Sequence, residues 1–249
     1  MPPETKSSIA FTYLPIFWTN YYYARIERQP SAKIQQFFDV HIDAQKRYFT
    51  IVQAASGITE PTPGNLLTFA AGGVGDIPIP LLCNTPTLAP TERDILASFV
   101  GVIDDEANNK TGIRSVMRDC LQHEQDFFIL HARNNAQRFH EMMHRSVFAL
   151  CPRGFGKTSF RMYEAINMGT IPVYIYDEPW LPYTEFLDWE ECSVLVPKER
   201  IAEIPAILRF HSPEDIRRKQ QKLRELKEQG YFSFRGVCHY IIQQLRERS

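Results

Sequence analysis

The chain has 249 residues, 44% of them hydrophobic, and its 28 Lys and Arg against 29 Asp and Glu give a formal net charge of −1. This balance excludes an intrinsically disordered chain, and it lacks the basic excess that a nucleic-acid partner would require. The length suits one large domain or two small ones, because single cores stop growing at about 250 residues.

The first third of the chain has an irregular pattern. We expect its aromatic cluster, from Phe17 to Tyr23, to lie in the core, which is the usual fate of such side chains. Residues 48–53 and 66–70 predict strands, the second of them followed by a glycine-rich turn. Residues 83–94, rich in Pro and Thr, are typical of a connection between lobes.

From Asp94 onward, strand-like runs alternate with helical periodicity. The predicted strands are 95–101, 127–131, 147–151, 171–176 and 193–196, and the predicted helices are 112–122, 136–145, 159–168 and a last one capped by Ser212 and ended by Gly230. This alternation predicts an α/β protein with a parallel, doubly wound sheet over about residues 94–230. Ligands on such sheets bind at the carboxyl ends of the strands.

The segment richest in binding groups, Cys151–Ala165, follows the third of these strands. Its glycines allow a ligand to approach the backbone closely, and the next helix offers unpaired N–H groups at its positive end. The cations and hydroxyl groups of the segment are Arg153, Lys157, Thr158, Ser159 and Arg161. The segment therefore predicts a site for a phosphate-bearing anion.

Glu164 lies one turn into the same helix, on one face with Arg161. A carboxylate at this place is suited to accept hydrogen bonds from a ribose. The alternative is a surface ion pair between the two side chains, which would contribute a few tenths of a kcal/mol. Periodicity alone does not choose between them.

The sequence GFGKT, between a strand and a helix, also resembles the phosphate-binding loop of P-loop NTPases, with Asp177 in place of their magnesium-holding aspartate. The spacing disagrees, because G-x-x-x-x-G-K-[ST] requires a glycine where this chain has Cys151. A P-loop-like phosphotransferase is therefore the weaker alternative.

Residues 148–196 carry an ordered series of motifs: CPRG at 151–154, Arg161 and Glu164, GTIPV at 169–173, Asp177, LPY at 181–183, LDW at 187–189 and SV at 193–194. In this order they resemble the C-terminal signature of the exostosin-type glycosyltransferases, family 47. Weaker similarities lie upstream, in SFVG at 98–101 followed by GIR at 112–114, and in DIPIP at 76–80.

This resemblance implies a GT-B fold, in which two Rossmann-like domains face each other across a cleft. We accordingly expect an acceptor-side domain at 1–93 and a nucleotide-sugar-binding domain at 94–230. Residues 231–249 would form a C-terminal helix that packs back on the N-terminal domain.

The resemblance also implies an inverting transfer of a hexose, pentose or uronic acid from a UDP-sugar to a hydroxyl of a glycan acceptor, with no metal cofactor. The acidic cluster at 104–106 is accordingly expected to be solvated rather than to hold a metal. The expected nucleotide-sugar-binding residues are Arg114, Arg153, Gly154, Lys157, Thr158, Ser159, Arg161, Glu164 and Asp177.

An inverting transfer also needs a base to take the acceptor proton, and the base should come from the facing lobe. Asp76 resembles the acidic position of the family and is our candidate. Its alternative role is an Asx-type turn cap. Asp39, His41 and Asp43 are rival candidates.

Most cellular relatives are Golgi proteins with an amino-terminal membrane anchor. This sequence shows no signal peptide and no apolar run of about 18 residues, and its five cysteines form no C-x-x-C pair. We expect a short soluble member of the family, virus-encoded or microbial, acting in the cytoplasm, or in the Golgi lumen if an anchor lies outside the sequence. A catalytically inactive glycan-binding relative is a further alternative.

Overall fold

The computed structural model describes residues 9–23, 32–89, 91–104, 111–133 and 135–249. Within them the chain forms two β-sheets whose strand pairs are all parallel. The strands are β1 (Phe11–Tyr13), β2 (Arg47–Val52), β3 (Leu66–Ala70), β4 (Ile77–Pro78), β5 (Ile95–Gly101), β6 (Phe127–His131), β7 (Ser146–Pro152), β8 (Ile171–Tyr176) and β9 (Val194–Pro197). The predicted α/β class with a parallel sheet is confirmed.

Eight α-helices accompany the described strands. They are α1 (Trp18–Tyr23), α2 (Ala32–His41), α3 (Ile113–Leu121), α4 (Ala136–Arg145), α5 (Phe160–Asn167), α6 (Ile204–Phe210), α7 (Pro213–Glu228) and α8 (Phe234–Glu247). Two short 3-10 helices lie at Trp189–Glu191 and Lys198–Glu203.

The first lobe is built on β1 to β4, which lie in the sheet in chain order. Trp18 of α1 is 1% exposed and donates its indole N–H to Thr50 Oγ1 on β2, at 2.9 Å. Phe17 is 79% exposed, so the expectation that the whole aromatic cluster is buried was wrong for this residue. The side chain of Tyr23 lies outside the described part of the structure.

The second lobe is built on β5 to β9, in the order β6-β5-β7-β8-β9. Its strands agree with the predicted ones to within a residue or so at each end. Strands that are buried on both faces read as short continuous apolar runs, and β8 is such a strand, with five of its six residues buried.

The segment 79–94 connects the lobes and is fastened at both ends. Near its start, the amide of Gln53 donates to Pro80 O and accepts from Leu82 N, both at 3.0 Å. Near its end, the Arg93 guanidinium donates to the carbonyl oxygens of Met168 and Gly169 and so caps the C-terminus of α5.

The C-terminal helices cover the second lobe and reach the first. Ser212 and Asp215 form a capping box at the start of α7, as the sequence indicates. After α8, Ser249 Oγ accepts a hydrogen bond of 2.9 Å from the main-chain N–H of Ala10, the residue before β1. One end of the chain therefore contacts the beginning of the first sheet.

Candidate active site

The order of strands in the second sheet creates a crevice at one point of its carboxyl edge. β5 lies between β6 and β7 and pairs with both in parallel. The chain therefore leaves β5 toward one side of the sheet and returns past it to β7 on the other side. The loops that follow β5 and β7 diverge, and such a switch point is where open α/β sheets bind ligands. We call the space between these two loops the crevice.

The guanidinium of Arg161, in the first turn of α5, reaches the β5 side of the crevice. Its Nη2 donates to Val100 O at 2.8 Å, and the group stacks on Phe99 and Phe139 with its Cζ 4.2 and 5.3 Å from the ring centres. Gly101 ends β5 beside it, and a Cβ on that residue would collide with Nη2. A glycine at the end of β5 thus makes room for the cation.

Arg114, on α3, occupies the corresponding place next to the β7 loop. Its Nη1 donates to Val102 O at 2.7 Å and its Nε to Arg153 O at 3.3 Å, so one side chain bridges the loops after β5 and β7. A Cβ on Gly154 would lie 2.7 Å from Arg114 Nη2. The two guanidiniums therefore stand at the switch point, each beside a residue without a side chain.

Burial disfavours the charge on Arg161 and lowers its pKa. Its Nε is buried without a hydrogen-bond partner in the described structure, and no carboxylate of the described residues forms a salt bridge with it. The alternative of a surface ion pair with Glu164 is therefore wrong, because Arg161 is only 9% exposed. A buried cation with an unsatisfied donor is an electrostatic reason to bind an anion in the crevice.

Arg153 joins the loop after β7 to the loop after β8. Its Nη1 contacts Asp177 Oδ1 at 2.6 Å, and its Nε donates to Gly156 O at 2.9 Å. Partial burial opposes the ionisation of Asp177, but the hydrogen bond and charge of Arg153 outweigh it, so the pKa of Asp177 lies below its ordinary value. This ion pair holds the backbone of the anion-binding loop in shape.

Lys157 is the most exposed of the three cations of the loop. Its Nζ forms an ion pair with Glu178, a side chain that is 64% exposed, and lies 5.8 Å from the centre of the Trp180 ring. Its main-chain N–H donates to Gly72 O in the first lobe at 3.0 Å. Lys157 therefore lies where the two lobes meet.

The two lobes touch at this point through backbone. A Cβ on Gly156 would overlap the carbonyl oxygens of Ala55 and Gly72, which belong to the loops after β2 and β3. Any larger residue at position 156 would push the lobes apart.

Ser159 and Thr158 stand before the first turn of α5. Ser159 is its N-cap, and its Oγ accepts from Arg161 N at 3.3 Å, which is the capping role that the sequence allowed. Thr158 is buried, at 3% exposure.

Glu164 lies one turn beyond Arg161 on α5. Burial raises the pKa of its carboxyl group, and the positive charge of Arg161 opposes this effect only in part. No hydrogen bond reaches the carboxylate from the described residues. It remains available to accept hydrogen bonds from a ligand.

The structure places Asp76 at the start of β4, in the first lobe. Its Oδ2 accepts hydrogen bonds of 2.7 Å from both the main-chain N–H and the hydroxyl of Thr68. The side chain is exposed, and three residues of chain, about 10 Å at most, separate it from Gly73, which packs against Lys157. The carboxylate thus ties β4 to β3 through one oxygen, and its other oxygen accepts no hydrogen bond from the described residues.

The rival base candidates are all exposed and lie on or just after α2. Asp43 accepts from Gln45 N at 2.9 Å and pairs with Lys46. Of the acidic cluster at 104–106, Asp104 is exposed and pairs with Arg118 at 2.6 Å, and residues 105 and 106 lie outside the described residues.

Sequence reasoning missed two features of this site. It did not single out Gly101, whose role appears only once Arg161 is seen to fold over the end of β5. It also passed over Glu178, although its position directly after Asp177, at the end of a predicted strand, was an available signal. The indole N–H of Trp180, in the loop after β8, donates to Ala70 O in the first lobe at 3.0 Å.

Comparison with known proteins gives a family match. The profile described as the Exostosin GT47 domain matches residues 76–211. The chain is 33% identical over 141 residues to a probable glucuronosyltransferase, GUT1, of Oryza sativa subsp. japonica, which covers 54% of this chain and 33% of that protein. It is 32% identical over 139 residues to a probable beta-1,4-xylosyltransferase, IRX10L, of Arabidopsis thaliana, with 53% and 33% covered. The chain thus spans about a third of the length of these curated relatives.

Among solved structures, the fold is similar to that of TarM. The TM-score is 0.50 at 8% sequence identity, over 86% of this chain and 53% of that one. This similarity concerns the fold alone, and it confirms the predicted GT-B arrangement of two parallel-sheet lobes. In the described part of the chain, no helix has the length and apolar character needed to cross a membrane.

Proposed function

Because the chain belongs to the exostosin GT47 family, we propose that it is an inverting glycosyltransferase that moves a sugar from a UDP-sugar to a hydroxyl of a glycan acceptor. The observation that carries this proposal is the pair of guanidiniums, from Arg114 and Arg161, at the switch point of the second sheet. A diphosphate in the crevice would lie next to both cations and to the N-terminus of α5.

The reaction is a displacement at the anomeric carbon of the donor sugar. The base takes the proton of the acceptor hydroxyl, its oxygen forms the new bond to that carbon, and the bond to the UDP oxygen breaks. The electron pair of the broken bond remains on the diphosphate, where fixed cations stabilise it. Arg114, Arg161 and Lys157 supply this positive charge, and the Arg153–Asp177 pair keeps the loop in place.

The same cations are our reason to propose that no metal is needed for the departure of UDP. They already provide the positive charge that a divalent ion supplies in metal-dependent enzymes. Glu164 would accept the hydrogen bonds of the ribose, since its carboxylate is unengaged and one helical turn from Arg161.

Asp76 is the proposed base. It belongs to the facing lobe, its side chain is exposed, and the loop before it packs against Lys157. Its hydrogen bonds to Thr68 also support the alternative, a purely structural link between β3 and β4.

The names of the relatives narrow the donor that we propose. They are described as glucuronosyl- and xylosyltransferases, so we favour UDP-glucuronate or UDP-xylose over a neutral hexose donor. For the compartment we favour the cytoplasm, because all five cysteines are free.

Ligand-induced stabilisation tests this function. UDP at about 100 times its dissociation constant should stabilise the fold by about 2.7 kcal/mol, in the presence of EDTA as well as in its absence. UDP-xylose or UDP-glucuronate should in addition be hydrolysed slowly to UDP. Stabilisation by ATP–Mg²⁺ alone would overturn the proposal in favour of a phosphotransferase. UDP binding without release of UDP from any UDP-sugar would favour an inactive glycan-binding protein.

A further inference from the structure

A groove lies along the face of the second lobe away from the crevice. It consists of two cavities, of 480 and 310 Å³, that share Asn167 and Lys227 in their walls. Its walls are the connecting segment 79–94, the C-terminal end of α5, one side of α7 and the turn before α8. Volumes of this size are typical of small-molecule sites.

The groove and the crevice lie at opposite edges of the sheet. α5 starts at the crevice and carries the chain about 12 Å back along the strands. Its last residue, Asn167, lines the groove. The groove begins about one helical turn beyond Glu164, and none of the proposed donor-binding residues lines it.

The charge of the groove is one-sided. Arg93, Arg224 and Lys227 line it, and the residues that line the two cavities include neither Asp nor Glu. Arg224 donates to Gln221 Oε1 at 2.8 Å and Lys227 to Asn167 O at 2.7 Å. Neither forms an ion pair with a carboxylate of the described residues, and Arg93 binds only carbonyl and hydroxyl oxygens.

Three of the other four cations of α7 pair with carboxylates. Arg217 pairs with Glu214 at 2.6 Å, Arg218 with Asp215 at 2.9 Å, and Lys222 with Glu191 at 2.6 Å. Lys219 is buried and donates to the main-chain oxygens of Glu190 and Ser193. Among the solvent-facing cations of α7, the two that line the groove are therefore the ones without a carboxylate partner in the described structure. This contrast indicates complementarity to an anionic ligand.

The other polar side chains of the groove suit sugar hydroxyls. They are the amides Asn84, Asn167 and Gln220 and the hydroxyls Thr87 and Ser233. Phe234, at the rim, is 73% exposed and presents an aromatic ring to any ligand there. Amide and hydroxyl groups between cations favour a carbohydrate that carries carboxylates over an acidic peptide, as does membership of a glycosyltransferase family.

We propose that this groove is a second glycan site, which binds an oligosaccharide containing uronic acids. The site would hold an acidic polymer on the enzyme independently of the donor. Binding in the groove requires no transfer activity. The groove can therefore fail to bind a glycan in an active transferase, and it can bind one in a chain without transferase activity.

The test is the binding of a tetragalacturonate to the whole chain, measured by isothermal titration calorimetry. We expect binding that weakens as the NaCl concentration rises from about 0.05 M to about 0.5 M, because salt screens exposed charges. A neutral cellotetraose should bind at least about tenfold more weakly. The double variant Arg224→Gln/Lys227→Gln should lose about tenfold in affinity for the acidic ligand and keep the native affinity for UDP.

Arg218→Gln is the matched control, because it removes one exposed, ion-paired cation from the opposite face of α7. It should bind tetragalacturonate as the native chain does. Phe234→Ala removes the exposed aromatic ring that would contact a sugar. This variant should bind tetragalacturonate more weakly, with an unchanged salt dependence.

Equal binding of cellotetraose, or an unchanged affinity in the double variant, would overturn the proposal. A tetraglutamate peptide that binds more tightly than tetragalacturonate would assign the groove to an acidic protein instead. Inorganic phosphate that displaces tetragalacturonate at equal concentration would reduce the groove to a general anion site.

Discussion

The indole N–H of Trp180 donates a hydrogen bond of 3.0 Å to the main-chain oxygen of Ala70, and this bond joins the loop after β8 to the last residue of β3. The two lobes are therefore fastened beside the crevice itself. Trp180→Phe should lower the free energy of unfolding by about 1 kcal/mol, the usual contribution of such a bond, as measured by urea denaturation. Trp189→Phe is the control: its indole bonds to Pro182 within the second lobe, and its deeper burial should make the loss larger. No loss in Trp180→Phe would show that water replaces the bond.

Arg161 should bind the diphosphate without contributing much to stability. Its charge is buried without a salt-bridged carboxylate among the described residues, so Arg161→Gln should change the free energy of unfolding by no more than about 1 kcal/mol. The same variant should weaken UDP binding at least about tenfold, measured by calorimetry. Glutamine is preferable to alanine here, because alanine would leave a cavity beside Phe99 and Phe139. Arg200→Gln removes an exposed arginine that pairs with Glu203 and therefore controls for the lost charge. Native UDP affinity in Arg161→Gln would show that Arg161 does not bind the diphosphate.

The ion pair between Lys157 and Glu178 should compete with UDP. Glu178 forms an ion pair with the Lys157 ammonium group that a phosphate of UDP would otherwise contact. Glu178→Gln should therefore tighten UDP binding by up to about fivefold, which corresponds to the free energy of an exposed ion pair. Lys157→Gln should weaken it by about tenfold. Glu190→Gln removes another exposed carboxylate, on the 3-10 helix Trp189–Glu191, and should have no effect on the UDP dissociation constant. An unchanged affinity in both loop variants would contradict a role for this pair.

Glu164 should make UDP binding depend on pH. Its pKa is raised above the ordinary value of 4.5 by burial, so the carboxylate is protonated at a higher pH than that of an exposed glutamate. The protonated group accepts hydrogen bonds from the ribose more weakly, because it has lost its charge. The UDP dissociation constant of the native chain should therefore rise relative to that of Glu164→Gln as the pH falls from about 7 toward 5. The ratio of the two constants cancels the titration of UDP itself.

The raised pKa of Glu164 also affects the stability of the fold. A raised pKa means that the ionised form is disfavoured in the fold, so the carboxylate costs stability above that pKa. Glu164→Gln should be at least as stable as the native chain at pH 7, and a constant ratio of dissociation constants across the pH range would refute the ribose assignment.

Asp76→Asn should separate catalysis from structure. Loss of the base in Asp76→Asn should lower turnover at least about a hundredfold and leave the UDP affinity unchanged. Thr68→Val is the matched control, because it removes the hydroxyl that bonds to Asp76 but leaves the carboxylate. That variant should lose about 1 kcal/mol of stability and keep most of its turnover. A well-folded Asp76→Asn variant with normal turnover would show that Asp76 is not the base and only links β4 to β3.

Length decided which parts of the fold could be predicted. β5 and β8 are long, buried and apolar, so the sequence marks their bounds. β1 has three residues and β4 has two. Segments so short show no periodicity, and only their pairing with β2 and β3 makes them strands. α6 went unpredicted as well, since its seven residues give less than two turns of pattern.

The sequence by itself determined the composition of the site: a glycine-rich loop, its cations and the helix after it all lie within fifteen residues of chain, Cys151–Ala165, where local chemistry is legible. Only the tertiary structure decided what those groups face. Arg161 crosses to β5 and Arg114 arrives from α3, because the order β6-β5-β7 places strands that are far apart in the chain side by side. Long-range pairing is set by packing rather than by local propensity. The same reason hides the groove from the sequence, since the walls that carry Asn84, Asn167 and Lys227 meet only after the connecting segment has folded back along α5.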